Sequence, residues 1–359
     1  MNGQTMFTLF PARSVLTMNP SLPRAEAVLV ADGRIIEVGS VAQMSPWLDH
    51  HPHTVDDRFK NDIICPGFID PHLHPSMAAV LLPMEFITAM RWKLPWGSVE
   101  PTTTEEAFDN RLRQLHAQKP DGEPLFTWGY HQLWHGEMSR ARMNAISADR
   151  PIIVWHRSFH ENYLNDAALA MANIKPSDVK PGSQIDIERG HFFENGLSLS
   201  ISRLNPWILA PEKYAHGLQR LKDVVHAGGQ TSIGDMAVGL FDFESEFDAL
   251  KREIDGDDVP FRTRLVPHGG MMQAGGRTPE QAVEAVRILI ERNTHRLRFG
   301  NHIKLFSDGA FFSQLAQLQE PGYIDGHHGE GLAPPELLET TVRAYWNAGF
   351  QIHVHVTGD

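Results

Sequence analysis

Cysteine and basic residues are scarce in this 359-residue sequence. The single cysteine, Cys65, excludes an intramolecular disulfide and a cysteine-based zinc cluster. Lys and Arg number 32 against 44 Asp and Glu, and the resulting net charge of −12 disfavours nucleic acids and anionic membranes as partners. No apolar run approaches the roughly 20 residues of a membrane span, and residues 1–10 lack the pattern of a secretory signal. These absences predict a soluble, cytoplasmic protein.

Histidine, in contrast, is plentiful, with 20 residues in the chain. Imidazole is the commonest metal-binding side chain and titrates near neutral pH, so histidines at strand ends are the first candidates for a site. Apolar residues make up 42% of the sequence, which is enough to bury a large core as one big domain or two ordinary ones.

The first 61 residues read as a β-ribbon. Residues 26–38 predict two short strands joined at Asp32-Gly33, a dipeptide that favours the positive φ angles of a tight hairpin. Beyond the ribbon, short apolar runs alternate with helical patterns, which predicts an α/β fold with a mostly parallel sheet. The predicted strands are Ile63–Ile69, Ile152–Trp155, Thr231–Ile233, Thr263–Val266, His302–Phe306 and Gln351–Val356. The predicted helices cover residues 211–227, 278–293 and 335–348.

Two long stretches interrupt this alternation. Residues 75–150 and 158–228 are too long for simple crossovers and are predicted to be insertions at the active edge of the sheet. The six predicted strands are two fewer than an eight-stranded barrel needs, and the sequence stops directly after a strand. The pattern therefore leaves two alternatives, an open sheet or a barrel whose sequence is cut short.

The strongest chemical signal is a His-x-His pair at the end of an apolar strand. His72 and His74 lie two residues apart, so an extended backbone directs both side chains to one side, where they can reach one metal ion. The C-terminal end of a parallel strand is where such folds place their sites. The alternative reading is two exposed histidines in a proline-rich loop.

Lys304 is the second signal, because it lies inside an apolar strand. A buried ammonium group without a partner is costly, so this lysine either reaches solvent, pairs with a carboxylate, or is chemically altered. Reaction of the neutral amine with carbon dioxide would give a carbamate, an anion able to bridge two cations. The alternative is an ion pair with Asp308 or Asp235.

Weaker candidates follow other predicted strands. His353 and His355 share a strand face, and His355 is the better candidate ligand because it lies nearer the C-terminal end. Asp235 closes a strand and could act in catalysis by orienting a ligand or substrate. His160 could line a substrate pocket, and Trp96 could belong to an aromatic lid over the substrate.

These motifs resemble the metal-dependent amidohydrolase superfamily, and most closely the branch that contains N-substituted formamide deformylases. The most specific element is the pairing of PGFIDPHLH with a later IKLF-DG. The matching segments span nearly the whole chain and are Ala27–Gly39, Cys65–Pro75, 139–151, 160–165, Ile303–Gly309 and His355–Asp359.

The resemblance implies a distorted (β/α)8 barrel, formed by residues 63–359 and lacking its last strands. Residues 1–62 would form half of a small β-sandwich, and a long insertion would follow the first barrel strand. His72 and His74 would bind one divalent metal, with Zn²⁺ expected. Lys304, as a carboxylated lysine, would bridge to a second metal bound by His355. The family's further metal-binding histidine and its general-base aspartate would follow on later strands and cannot be assigned here.

The function implied is hydrolysis of a carbon–nitrogen bond in a small amide, formamide or cyclic amide by a metal-activated water. The alternative is a truncated, catalytically silent protein that binds metal or acts through protein contacts. The insertion could serve as an interface, so a homo-oligomer is a further expectation.

Overall fold

The computed structural model describes residues 5–273 and 275–359, which form two compact units divided between Phe68 and Ile69. In these residues no helix is both long and apolar enough to cross a membrane.

The first unit is built around one sheet in the order β3-β2-β1-β4, with β5 also paired to β1. Its core contains alternate apolar residues of β1 and β2 together with Met44. The hairpin predicted at Asp32-Gly33 is confirmed: both residues have positive φ, and β2 and β3 pair antiparallel on either side of them. The elements are β1 (Phe7–Leu16), β2 (Arg24–Ala31), β3 (Arg34–Gly39), α1 (Ser45–Leu48), β4 (His53–Val55) and β5 (Ile63–Ile64).

The second unit alternates strands and helices. Its strands are β6 (Phe68–Leu73), β7 (Glu85–Phe86), β8 (Trp92–Leu94), β9 (Gly97–Val99), β10 (Leu125–Tyr130), β11 (Ile152–His156), β12 (Glu161–Leu164), β13 (Ile185–Asp186), β14 (His191–Phe193), β15 (Gln230–Val238), β16 (Arg262–Pro267), β17 (Leu297–Phe299), β18 (His302–Phe306) and β19 (Gln351–His355). Its helices are α2 (Pro75–Leu81), α3 (Glu105–Gln118), α4 (Gln132–His135), α5 (Arg140–Asn144), α6 (Asp166–Met171), α7 (Asn195–Ile208), α8 (Pro211–Ala227), α9 (Phe243–Ile254), α10 (Gly269–Met272), α11 (Pro279–Arg287) and α12 (Pro335–Asn347).

The strands that carry the predicted site form one arc. β6 pairs with β15, β15 with β16, and β16 with β17, which is followed after two residues by β18. A parallel bridge between His268 and Lys304 joins the end of β16 to β18, and β18 pairs in parallel with β19. The parallel sheet with helical crossovers that the sequence predicts is therefore present.

The three predicted helices are also confirmed. α8 ends before Gly228, and α12 ends before the left-handed Gly349. α11 begins at Pro279, with the Thr278 side chain accepting from the backbone N–H of Gln281. These three helices and α9 cover one face of the arc with apolar side chains, which leaves its other face to the polar residues described below.

The segment between β6 and β15 differs from the prediction. Ile152–Trp155 belongs to β11, which lies in a separate six-stranded sheet of the order β13-β14-β12-β11-β10-β7 rather than in the arc. A buried strand is apolar on both faces in any parallel sheet, so its sequence does not indicate which sheet it joins. Residues between Leu73 and Gln230 are called the inserted region below, and the two insertions predicted at residues 75–150 and 158–228 stay a prediction.

Candidate metal-binding and active site

Alternation along β18 directs Lys304 away from the helices. Ile303 and Leu305 pack with α11 and α12 in one apolar cluster, so Lys304 and Phe306 face the opposite side of the arc. β19 follows the same rule, because Ile352 packs against that cluster and His355 lies on the other face. The parallel register then pairs Phe306 with His355.

Three aromatic rings surround the end of β18. The ring of Phe306 lies 5.5 Å from that of His355 and 5.1 Å from that of His268, which directly follows β16. The Lys304 ammonium nitrogen lies 4.9 Å from the centre of the Phe306 ring. Residues from three successive strands of the arc are thus brought together.

Lys304 is buried without an acidic partner. Only 2% of the residue is exposed, and among the residues the structure describes its side-chain amine makes neither a hydrogen bond nor an ion pair. The ion pair with Asp308 or Asp235 considered from the sequence is therefore not formed. Burial lowers the pKa of the Lys304 amine.

His72 and His74 stand at the end of β6. Their rings are 5.2 Å apart in an edge-to-face arrangement, and His74 is the N-cap residue that precedes α2. Burial lowers the pKa of His74 to about 3, with further lowering from the nearby positive charges of His72, Lys304, His355 and His160. The predicted histidines of β6 and β19 and Lys304 therefore lie within electrostatic range of one another.

His160 reaches this group from the inserted region. Its ring lies 5.4 Å from that of His355, and its Nδ1 atom is 3.1 Å from each carboxylate oxygen of Glu194. Burial raises the pKa of Glu194, against the lowering effect of its hydrogen bond with His160. The placement of His160 beside the strand-end histidines is consistent with the substrate-binding role predicted for it.

Asp235 lies on the other face of the arc. It follows Ile233 by two residues in β15, and Ile233 packs in the core that includes α8 and α9. Asp235 is 1% exposed, and neither carboxylate oxygen has a hydrogen-bond partner. Burial, together with the charge of Glu246 in α9, raises its pKa well above the usual range. The structure does not place Asp235 among the histidines.

We expect Asp235→Asn to leave metal content unchanged and to alter the free energy of unfolding by less than about 1 kcal/mol. Burial and the charge of Glu246 disfavour the charged form of this carboxyl group, and the neutral amide has nearly the same shape as the neutral acid. Elemental analysis and urea unfolding measure the two quantities. Loss of metal from this variant would instead assign Asp235 to the site.

Trp96 is also separate from the histidines. It lies in the turn between β8 and β9, where the Arg220 guanidinium of α8 packs 4.7 Å from its ring centre. The structure does not bring Trp96 to the strand-end group, so its predicted contact with substrate has no support from the geometry.

Residues 60–359 match the Amidohydrolase family. The chain belongs to this family. The superfamily predicted from the His-x-His and IKLF-DG motifs is thereby confirmed.

Two curated relatives of this amidohydrolase are similar over nearly its whole length. It is 24% identical to the exoenzymes regulatory protein AepA of Pectobacterium carotovorum subsp. carotovorum, covering 98% of this chain and 74% of AepA. It is also 24% identical to the N-substituted formamide deformylase of Arthrobacter pascens, covering 96% of this chain but 62% of the deformylase. The chain therefore spans less than two-thirds of the deformylase.

A solved structure shares the fold of this amidohydrolase. An uncharacterized metal-dependent hydrolase from Pyrococcus horikoshii OT3 matches with a TM-score of 0.65 and 21% identity, covering 98% of this chain and 65% of that hydrolase. The similarity shows a TIM-barrel-like fold of mixed α/β content, as the sequence predicts.

The strand-end residues of this amidohydrolase fit a divalent metal by their chemistry. The Nδ1 atoms of His74 and His268 and the Nε2 atom of His355 are buried and have no hydrogen-bond partner in the part of the chain that the structure describes. Unprotonated imidazole nitrogens are metal ligands of the kind zinc prefers. Within residues 5–273 and 275–359 no three His, Cys, Asp or Glu side chains are already gathered as a metal site.

Three members of this group were missed by sequence reasoning. His268 lies two residues after the predicted strand Thr263–Val266, and the rule applied to His74 and His355 would have found it. Phe306 shares a strand face with Lys304 but carries no chemical signal of its own. Glu194 reaches the site through the fold of the inserted region, and no local pattern marks it.

Proposed function

We propose that this amidohydrolase hydrolyses a carbon–nitrogen bond other than a peptide bond, in a small amide, formamide or cyclic amide. The reaction adds water across the bond and yields a carboxylic acid and an amine. The observation that carries the proposal is the group of buried imidazole nitrogens of His74, His268 and His355, which have no hydrogen-bond partner in the described residues and lie beside the buried residue Lys304. Leaving such atoms unpaired in a protein interior is costly unless something binds them.

The proposed ligands are His72, His74, Lys304 and His355, holding one or two divalent ions, with Zn²⁺ expected. When bound, such an ion supplies acidification of a water molecule and polarisation of a carbonyl group. The imidazoles of His72 and His74 would hold the ion at the end of β6, and the Phe306 ring packs 4.9 Å from the Lys304 amine.

Carboxylation of Lys304 supports this arrangement chemically. A neutral amine adds to carbon dioxide, forming a nitrogen–carbon bond and releasing one proton, and the product is a carbamate anion. Burial favours the neutral amine that this reaction requires. The carbamate would also supply the negative charge that the cluster of imidazoles lacks.

The formamide deformylase relative supports a formamide among the candidate substrates, although identity is only 24%. Formamides present a small carbonyl group on a variable amine, and the aromatic residue Phe306 lines the site on one side. We therefore place N-substituted formamides first among the compounds to be tested.

The test is metal content by elemental mass spectrometry, compared between the wild type and His72→Ala/His74→Ala. We expect one or two equivalents of metal per chain in the wild type. In the variant we expect the affinity for metal to fall at least about tenfold. The control is His327→Ala/His328→Ala, an adjacent histidine pair in a loop whose rings bond to backbone carbonyls away from the strand ends. Equal metal content in all three proteins would refute the assignment of His72 and His74.

A further inference from the structure

Glu194 and His160 form a dyad that the inserted region contributes to the site. Both carboxylate oxygens of Glu194 lie 3.1 Å from Nδ1 of His160, and the backbone N–H of Glu194 donates to the carbonyl oxygen of His160 at 3.0 Å. The two residues are therefore tied through both side chain and main chain. Glu194 is 4% exposed, so solvent does not compete for its carboxylate.

The backbone at Glu194 is held in an unfavourable conformation. Its φ of +42° and ψ of −113° are rare for a residue with a side chain, and such strain persists only where surrounding contacts enforce it. One such contact is with the loop after β18. Gly309 leaves open the space that one Glu194 oxygen occupies, since a Cβ there would come within 2.1 Å of it.

The hydrogen bond to Glu194 decides which nitrogen of His160 is free. A carboxylate accepts and does not donate, so Nδ1 of His160 carries the hydrogen and Nε2 carries the lone pair. In the described part of the chain no group hydrogen bonds to Nε2 of His160, and this nitrogen is not among the buried polar atoms that lack a partner. The His160 ring itself lies 5.4 Å from the ring of His355, so it stands beside the proposed site.

We propose that Glu194 positions His160 so that Nε2 accepts a hydrogen bond from the N–H of the substrate, which selects secondary amides over tertiary ones. The inference rests on the proposed function and narrows its substrate class to compounds with a hydrogen on the scissile nitrogen. His160 is the residue that contacts substrate, and Glu194 is a positioning residue.

The experiment uses two chromogenic probes, 4-nitroformanilide and its N-methyl derivative. The second carries a methyl group in place of the hydrogen on nitrogen, and hydrolysis of either probe releases a coloured aniline. The quantity compared is the ratio of kcat/KM for the secondary probe to kcat/KM for the tertiary probe, because a defect common to both probes cancels in it.

In His160→Phe we expect the ratio to fall about tenfold, through a higher KM for the secondary probe with little change in kcat. Glu194→Met removes the acceptor at similar volume and should lower the ratio comparably. Glu194→Gln keeps one acceptor oxygen, so its ratio should lie between that of Glu194→Met and that of the wild type. The control is Glu330→Gln, a nearby carboxylate that pairs with Gln184 instead of a histidine and should leave the ratio unchanged.

A readout without turnover separates this inference from the proposed function. In protein labelled with ¹⁵N-histidine, the NMR spectrum should show His160 as the Nδ1–H tautomer, and only the secondary probe should shift its Nε2 signal. An Nε2–H tautomer, or equal effects of both probes on that signal, would overturn the inference. A wild type that binds no metal and hydrolyses neither probe would refute the proposed function, and the NMR result would still decide the dyad.

Discussion

Replacing Lys304 with methionine is expected to lower hydrolytic activity by at least about 100-fold and to strip the protein of bridging metal. Methionine has similar length and volume but cannot form a carbamate or bind a hard cation through nitrogen. The remaining imidazoles then lack an anionic partner. Elemental analysis and amide hydrolysis at saturating metal measure the two effects.

The same change should not destabilise the fold. The Lys304 side chain is buried without a hydrogen bond or an acidic partner in the described residues, and removing such a group relieves a desolvation cost. We expect the free energy of unfolding of the metal-free protein to stay the same or rise by up to about 2 kcal/mol. Activity and stability therefore move in different directions, which a general packing defect would not produce.

A matched control is available in Lys251→Met. The Lys251 ammonium also lies over an aromatic ring, 5.9 Å from the centre of Phe247, but it is exposed on α9. This variant should keep its metal and activity. A second check is Lys304→Ala with added acetate or propionate, which should recover part of the metal by supplying a carboxylate. Full metal content and activity in Lys304→Met would refute the ligand role.

Local signals were sufficient for much of the fold. The Asp32-Gly33 turn and the Thr278-Pro279 helix start depend on a few adjacent residues, and both occur as predicted. Apolar alternation in β18 and β19 also predicted which face Lys304 and His355 occupy, because the period of a strand is two residues.

The errors concern relations between distant segments. Ile152–Trp155 was correctly predicted as a strand, but its sheet depends on partners that its own apolar sequence does not specify. Asp235 ends an apolar run as His74 does, yet it shares the helix-facing side with Ile233. Glu194 is 34 residues from His160 along the chain and meets it only through the fold.

Asp308 is the residue whose replacement should cost most stability. Its carboxylate accepts from the backbone N–H groups of Thr357, Gly358 and Gln317 at 3.0, 2.7 and 3.0 Å, and from the Ser307 hydroxyl at 3.1 Å. It thereby joins the loop after β18 to the segment after β19. Asp308 is 2% exposed, so each donor left without it would be buried unpaired.

Asp308→Asn is expected to lower the free energy of unfolding by about 2–4 kcal/mol. An amide offers one acceptor oxygen instead of two, and its NH2 group would face N–H groups that donate to the carboxylate in the wild type. The matched control is Asp325→Asn, in an exposed loop of the same unit, which should change it by less than about 0.5 kcal/mol. Urea unfolding at neutral pH compares the three proteins. If Asp308→Asn lowered the free energy of unfolding no more than Asp325→Asn does, other contacts would hold the segment after β19.

The cost of Asp308→Asn should also depend on pH. Burial alone would raise the pKa of Asp308, but the hydrogen bonds from Thr357, Gln317 and Gly358 outweigh it and hold the pKa below its usual value. A depressed pKa in the folded state means that the stabilisation is complete above the unfolded pKa of about 3.9 and is lost as the pH falls through the folded pKa. The difference between wild type and variant should be constant from pH 5 to 8 and shrink below about pH 4. A difference that instead grew on acidification would mean that the carboxylate is not the stabilising form. Since the backbone N–H of Ser307 donates to the carbonyl oxygen of His355 at 3.0 Å, the residue that precedes Asp308 is also hydrogen bonded to a proposed metal ligand.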